Sequence, residues 1–504
     1  MLRACLVAAA LLLAGPALAA AGQPTAPPEA EAIPALVQAA QSDDLQAALA
    51  LLKRSGAAKV KAPDGTTALH WATHNDNERL IERLLKAGAD ATARNDYGAT
   101  PMSEAAVVGN AAVIAKLLKA GADVDSANGD GQTALMIVAR SSNIAAAELL
   151  LRRGAKVDAR EHWREQTALM WAAAQAQPAM VRLLLAHGAA VDARSQVNDW
   201  PRQITAEPRA QARPPGGYTA LLFAARRGCL ECARALVDAG ADVNLADPEG
   251  ISPLLMATTN FNFDTAALLV EKGANPNKWD RAGRAPLYAA VDLNTIPDGG
   301  RADRPSLDRT TSLQLIEQLL TAGANPNLQL KLMPPYRSLR DDRGADGMLT
   351  IGATALLRAA KAADVPAMQL LLQHGANVEL PNVNGITPLM AAAGNASSKI
   401  DTRGRYKTPA QAIAAIELLV SAGADVNGRD ALGQTALFGA AVWGWNDVLT
   451  ALLQRGARLD VVDNRGKTVV DAAMGSAGGS GRTSSDPQPA TAAMLRQLLA
   501  STAK

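Results

Sequence analysis

One sequence pattern recurs along almost the whole chain at a period of about 33 residues, as between Leu69 and Met102. Each copy opens on Thr-Ala/Pro-Leu and closes on Gly-Ala-Asp/Asn. The leucine position is held by Leu69, Met102, Leu135, Leu169, Leu221, Leu254, Leu287, Leu356, Leu389 and Leu437. The closing glycine is held by Gly88, Gly121, Gly154, Gly188, Gly240, Gly273, Gly323, Gly375, Gly423 and Gly456. Such a period predicts a stack of small units, because one unit cannot bury its own apolar face.

Each position of the repeat has a physical role in a helix-turn-helix unit. The threonine is suited to cap the first helix with its side-chain oxygen, and the alanine or proline after it suits the first helical position. Apolar residues at helical spacing then predict a second helix, as in 113–118. The closing glycine is suited to a left-handed helix end. An extended link and a turn, such as 95–98, lead to the next threonine.

The motif resembles the ankyrin repeat, whose signature is Thr-Pro-Leu-His-x-Ala. Residues 67–72 (TALHWA) and 387–392 (TPLMAA) carry it nearly intact. Ten units are clear, with a degenerate unit before them (36–56) and another after them (468–499). The resemblance implies an all-α solenoid of about twelve units with short β-turn fingers over residues 33–474. A Gly/Ser/Pro-rich loop (475–490) and a C-terminal capping helix (491–504) would complete it.

Four insertions interrupt the period. Two lie in turns between units, at about 195–217 and 328–350, and two lie between the helices of one unit, at about 294–311 and 395–411. Insertions of this kind are placed in surface loops and often mark a binding face. Tolerated growth of a surface loop, which costs little entropy, is the alternative explanation.

The N-terminus has the pattern of a secretory signal. Arg3 precedes the unbroken apolar run 5–14, and Ala17-Leu18-Ala19 offers a cleavage site. The run is too short to span a bilayer of roughly 30 Å. We therefore expect a signal peptide (1–19), a Pro/Ala-rich linker (20–32) and a mature protein that is periplasmic or secreted, without membrane insertion.

In ankyrin proteins the first helices and the turn tips line a concave groove for protein partners. By that resemblance, the candidate contacts are the residues two positions after the motif leucine in five units, together with three aromatic turn residues: Trp71, Ile137, Trp171, Phe223 and Met256, then Tyr97, Trp163 and Trp279. Burial between repeats is the alternative for the first five. Lysine plus arginine (50) nearly equals aspartate plus glutamate (48), so a nucleic-acid partner is not expected.

Cys229 and Cys232 form the one enzyme-like signal, a Cys-x-x-Cys at the start of a second helix. A structural thiol pair or disulfide, redox catalysis and metal capture are all open to such a pair. No catalytic motif, cofactor fingerprint or metal-ligand spacing occurs elsewhere. The sequence thus predicts a non-enzymatic, cofactor-free and monomeric scaffold or inhibitor for a partner protein outside the cytoplasm. A thiol-disulfide redox protein and a secreted effector are the alternatives.

Overall fold

The fold is described from a computed structural model over residues 33–198, 215–295, 308–332, 349–396, 407–475 and 487–502. The predicted signal peptide and linker lie outside these residues. So does the greater part of each of the four insertions and of the loop near the C-terminus.

The described residues form 24 α-helices and no extended strand, so the prediction of an all-α solenoid is confirmed. The helices are α1 (Ala35–Gln41), α2 (Leu45–Leu51), α3 (Ala68–His74), α4 (Glu78–Lys86), α5 (Pro101–Val108), α6 (Ala111–Lys119), α7 (Ala134–Ser141), α8 (Ile144–Arg152), α9 (Ala168–Ala174), α10 (Pro178–Ala186), α11 (Ala220–Arg227), α12 (Leu230–Asp238), α13 (Pro253–Thr259), α14 (Phe263–Glu271), α15 (Pro286–Asn294), α16 (Ser312–Thr321), α17 (Ala355–Ala362), α18 (Val365–Gln373), α19 (Pro388–Ala393), α20 (Pro409–Ser421), α21 (Ala436–Trp443), α22 (Asn446–Gln454), α23 (Val469–Ala473) and α24 (Pro489–Thr502).

Consecutive pairs of helices make twelve units, numbered here 1 to 12. The odd-numbered inner helices pack on one another in chain order, and the even-numbered outer helices form a second layer behind them down to α22. Neither layer is broken at an insertion. The last helix, α24, packs on α23 and begins at Pro489, two residues before the expected start of the capping helix.

The repeat motif fixes both ends of each unit as the sequence predicts. The threonine or serine before an inner helix accepts a hydrogen bond from the third helical N–H in most units, as Thr67 does from the amide of His70. All ten closing glycines have φ between 80° and 96°. Nine of them have no atom within 4 Å of the place a Cβ would take. The left-handed backbone, and not crowding, therefore requires glycine there.

The extended link and turn between a closing glycine and the next inner helix are called a finger here. A ladder of side-chain hydrogen bonds joins each finger to the next unit. The second acidic or amide residue after the closing glycine accepts a backbone N–H of the following unit. Examples are Asp125 with the amide of Lys156 (2.9 Å) and Asn277 with the amide of Asn325 (2.7 Å). Each link joins only neighbouring units, so the stability of the stack is a sum of local terms.

In both insertions between units, the residues at which the chain leaves and re-enters the stack are hydrogen-bonded to each other. We call this pair of residues the closed base of the insertion. At the first, the amide of Ser195 donates to the carbonyl of Tyr218 (3.0 Å), and the Tyr218 amide donates back to the Ser195 hydroxyl (2.9 Å). At the second, the amide of Leu330 donates to the carbonyl of Ala353 (3.1 Å). The chain therefore returns to its starting point before the next unit begins, which keeps the register of the units.

Candidate partner-binding groove

The inner helices present two columns of residues towards the fingers. The groove column is the residue two after each motif leucine: Trp71, Glu104, Ile137, Trp171, Phe223, Met256, Ala289, Arg358, Ala391 and Gly439. The flanking column lies three residues further on: His74, Val107, Arg140, Ala174, Arg226, Thr259, Asp292, Lys361, Gly394 and Val442. Residues three apart share a helix face, so each pair lies side by side in the groove.

Inner helices and fingers together line this face. A hollow of about 140 Å³ between units 3 and 4 has Glu104, Val107 and Ile137 of the inner helices on one side. Tyr97 and the finger residues 128–130 form the other side. The structure thus brings finger Tyr97 and column residue Ile137, both predicted contacts, to one place.

The five predicted contacts on the inner helices fall into two groups. Trp71, Trp171 and Phe223 are partly exposed. Ile137 and Met256 are buried, with 8% and 5% of their surface exposed, so the expected open row of four bulky groups is reduced to Trp171 and Phe223. Met256 is covered in part by Asn260, whose amide nitrogen donates to the Met256 carbonyl (2.8 Å) and lies 3.5 Å from its sulfur.

The three predicted finger contacts are among the most exposed aromatic side chains of the described residues. Tyr97, Trp163 and Trp279 expose 76%, 70% and 48% of their surface. The indole Nε1 of Trp163 donates to Asp130 of the preceding finger (3.0 Å), which holds that ring along the finger edge. Large exposed aromatic groups held in place are typical anchors for a protein partner.

Neighbouring units are coupled through the two columns. The flanking residue of one unit contacts the groove residue of the next in three places. His74 Nδ1 lies 2.9 Å from Glu104 Oε2, the Arg140 guanidinium lies 4.7 Å from the centre of the Trp171 ring, and Asp292 accepts a hydrogen bond from Arg358 Nε. Sequence reasoning singled out one column only and missed this pairing. The spacing of three residues on each inner helix could have shown it.

The second half of the groove is closed by the chain itself. Arg358 is fully buried with Asp292. Lys407, at the return of the last insertion, donates to the carbonyl of Ala391 (2.5 Å), and the Asn395 amide donates to the carbonyl of Thr435 (3.0 Å). A Cβ on Gly439 would lie 2.2 Å from Asn395 Oδ1. These contacts cover the inner-helix face, whereas the finger side keeps a hollow of about 240 Å³ beside Trp279 and Lys331.

The two cysteines are joined. Cys229 Sγ is bonded to Cys232 Sγ and also accepts the amide of Cys232 (3.2 Å) at the start of α12. In units 2 and 3 the same capping position holds an asparagine, Asn77 or Asn110. Both cysteines are buried, whereas thiol exchange needs an accessible sulfur. The geometry favours a structural staple.

Burial shifts the pKa values of two side chains near the groove, His70 and Asp247. Burial lowers the pKa of His70, whose Nδ1 accepts the Thr67 amide (3.2 Å) while Nε2 donates to the Ala99 carbonyl (3.1 Å). Burial likewise raises the pKa of Asp247, whose Oδ1 accepts the amides of Glu249 and Ile251. Both residues brace fingers through these hydrogen bonds.

Within the described ranges, no group of three or more histidine, cysteine, aspartate or glutamate side chains could hold a metal ion. No helix in the same ranges is long and apolar enough to cross a membrane.

Known proteins share the repeat. Residues 36–128, 109–195, 203–280 and 221–296 match the family described as "Ankyrin repeats (3 copies)", and residues 351–383 match "Ankyrin repeat". A putative palmitoyltransferase ZDHHC13 of Danio rerio is 28% identical over 280 residues, which are 55% of this chain and 36% of that protein. Neurogenic locus notch homolog protein 1 of Xenopus tropicalis is 33% identical over 136 residues, 23% of this chain and 5% of that protein. The chain thus spans about a third and a twentieth of these relatives. The crystal structure of the human ASB11 ankyrin repeat domain is similar to 48% of this chain over 98% of its own, at 23% identity and a TM-score of 0.40.

Proposed function

This chain belongs to the ankyrin repeat family, and on that premise we propose that it holds a partner protein in the groove of units 2 to 6, outside the cytoplasm. Ankyrin repeats are protein-interaction modules. The observation that carries the location of the site is the contrast in burial along the groove column. Trp71, Trp171 and Phe223 are partly exposed in the first half, whereas Arg358 and Ala391 are fully buried in the second.

The energetic reason is the apolar surface that a partner covers. Each Å² removed from water is worth about 25 cal/mol, and a central aromatic anchor contributes about 2 kcal/mol or more to binding. Trp171 and Phe223 lie in adjacent units, with the base of the first insertion between them. A scaffold or an inhibitor would both use this surface.

The test is the double replacement Trp171→Ala with Phe223→Ala, once a partner has been captured from the compartment in which the protein is found. Binding should weaken by about 2 kcal/mol or more while the helical circular-dichroism spectrum is retained. A matched control removes Trp445 and Phe261, two partly buried aromatic residues outside the groove column, and should leave binding unchanged. Equal binding by the groove variant and the wild type would refute the proposed site.

The action outside the cytoplasm rests on the sequence of residues 1–19 alone. N-terminal sequencing of the protein from a periplasmic or culture-medium fraction should give a chain that begins near Ala20. A cytosolic protein that retains Met1 would contradict this part of the proposal and leave the groove untouched.

A further inference from the structure

We infer that the groove of units 4 to 6 recognises an extended, acidic segment of its partner protein, with apolar residues between the acidic ones. This inference rests on the proposed function and names the chemistry of the partner. It starts from three exposed arginines on the inner helices: Arg140 of unit 4, and Arg226 and Arg227 of unit 6.

These arginines have no carboxylate of their own. None of the three side chains makes a hydrogen bond or ion pair within the described part of the chain; Arg140 only stacks on Trp171. The inner helices α7, α9, α11 and α13 contain no aspartate or glutamate at all. The groove face of units 4 to 7 therefore carries uncompensated positive charge.

Most acidic side chains of the facing fingers already accept hydrogen bonds or ion pairs, and the remaining one, Asp247, is buried with only its Oδ1 bonded to backbone amides. Glu161 is buried and accepts three backbone amides of its own turn, and Asp130 accepts the Trp163 indole. Glu165 pairs with Arg160, and Glu249 pairs with Arg281. In the second half of the molecule the groove-column arginine, Arg358, is matched by Asp292 of the flanking column. The contrast indicates that the charge in units 4 to 6 is left for a partner.

Between the arginines lies an apolar floor. Trp171 and Phe223 are partly exposed, and the Phe223 ring is fixed edge-on to Tyr218 at 5.5 Å. The Nε1 of Trp171 is buried and has no hydrogen-bond partner among the described residues. A peptide segment supplies apolar side chains that would cover this floor. Three arginines on a chain with a net charge of +2 are few for a phosphate backbone, which binds cations along its whole length, so a protein segment is favoured over a nucleic acid.

The spacing of the units sets the spacing of the acidic residues. Arg140 and Arg226 are two units apart, which is roughly 20 Å at about 10 Å per packed helix. An extended chain covers about 3.3 Å per residue. The bound segment should therefore carry acidic residues about six positions apart, with aromatic or aliphatic residues between them.

A display library of random peptides, selected on the full mature chain, tests this. Wild-type protein should enrich peptides with that pattern. Arg140→Glu with Arg226→Glu should bind them at least about tenfold more weakly, because both charged contacts turn from attractive to repulsive, and should itself enrich basic peptides. The control Arg79→Glu with Arg83→Glu makes the same charge change on two exposed positions of outer helix α4 and should bind as the wild type does.

Each other result has a definite meaning. Binding that is lost with Trp171→Ala and Phe223→Ala but is indifferent to charge reversal overturns this inference and leaves the proposed function standing. Binding that ignores both pairs of substitutions, or a library that yields no binder, counts against both. A single-stranded oligothymidine that displaces the peptides at equal concentration would overturn the inference in favour of nucleic acid. The neutral pair Arg140→Gln with Arg226→Gln guards against misfolding, and it should also lose the acidic peptides.

Discussion

The two halves of this solenoid are built from the same unit and treat their inner face in opposite ways. In units 2 to 6 the groove holds partly exposed aromatic rings and arginines without carboxylate partners. In units 8 to 11 an arginine is buried on an aspartate, a lysine is bonded to a helix carbonyl, and a glycine admits an asparagine side chain. One repeat can therefore leave its inner face partly exposed or close it, depending on two positions three residues apart.

The largest expected effect comes from breaking the buried pair in the second half. Asp292→Ala leaves the Arg358 guanidinium buried without its carboxylate, which should cost about 3–5 kcal/mol. Arg140→Ala, at the equivalent level of the first half, loses only a cation–π contact of about 0.5–1 kcal/mol. Hydrogen exchange of units 8 and 9, compared with units 4 and 5, measures both changes as local opening.

A matched variant separates charge burial from packing in the same pair. Asp292→Leu with Arg358→Met replaces the ions with apolar groups of similar length, and the loss should be mostly recovered. Equal losses for Asp292→Ala and Arg140→Ala would show that the two halves do not differ in the way described.

The next effect tests whether the second half of the groove is closed by close backbone approach. Gly439→Ala brings a Cβ within 2.4 Å of the backbone nitrogen of Asn395, which cannot move without displacing the end of α19. We expect a loss of about 1–3 kcal/mol, seen as faster exchange in units 10 and 11. Gly428→Ala is the control, because its nearest neighbour lies at 3.3 Å and its φ is not positive. A fully tolerated Gly439→Ala would contradict the closed groove.

A smaller effect should come from the side chain that links a finger to the next unit, which is an asparagine in some units and an aspartate in others. Asn277 accepts the Asn325 amide and also donates to the carbonyl of Gly323 (2.9 Å), whereas Asp158 only accepts the Ala190 amide. Asn277→Asp should therefore cost about 0.5–1.5 kcal/mol, and Asp158→Asn should gain up to a similar amount. Denaturant unfolding measures the change in the free energy of unfolding for each single variant. Changes of the same sign in the two variants would contradict this prediction.

The smallest effect is confined to one unit of the first half. His70 is neutral in the fold because burial lowers its pKa below the ordinary value of 6.5. The unfolded chain then binds the proton first, so stability is present above about pH 6.5 and is lost as the pH falls towards the folded pKa. Exchange in unit 2 should quicken over that range. Unit 10, where Met390 holds the same position, should not change, and His70→Gln should remove the dependence.

The sequence predicts the fold well because the same motif occurs in many units, so each unit supports the interpretation of the others. Ten copies of one cap, one leucine and one closing glycine average out local ambiguity, and helix ends follow from the chemistry of threonine and glycine. The groove is harder to predict. Ile137 and Phe223 hold the same place in the repeat, but one is buried and the other is partly exposed. That difference depends on neighbours in the adjacent unit, which a count along one helix does not include.

The pairing of Asp292 with Arg358 shows the same limit more strongly. The two residues are 66 positions apart because two insertions lie between them along the chain, one inside unit 8 and one between units 8 and 9. Only the stacked structure makes them neighbours. For Cys229 and Cys232 the sequence left a staple, redox chemistry and metal capture open, and it is their burial that favours the staple.

The closed base of the first insertion has a consequence for how such a chain changes over generations. Because Ser195 and Tyr218 are bonded to each other, the stack on either side does not depend on what the chain does between them. A deletion, duplication or exchange inside that interval leaves the register of all twelve units as it was. New surface can thus be acquired beside Trp171 and Phe223 in a single genetic event, because the packing of the neighbouring units does not have to change with it.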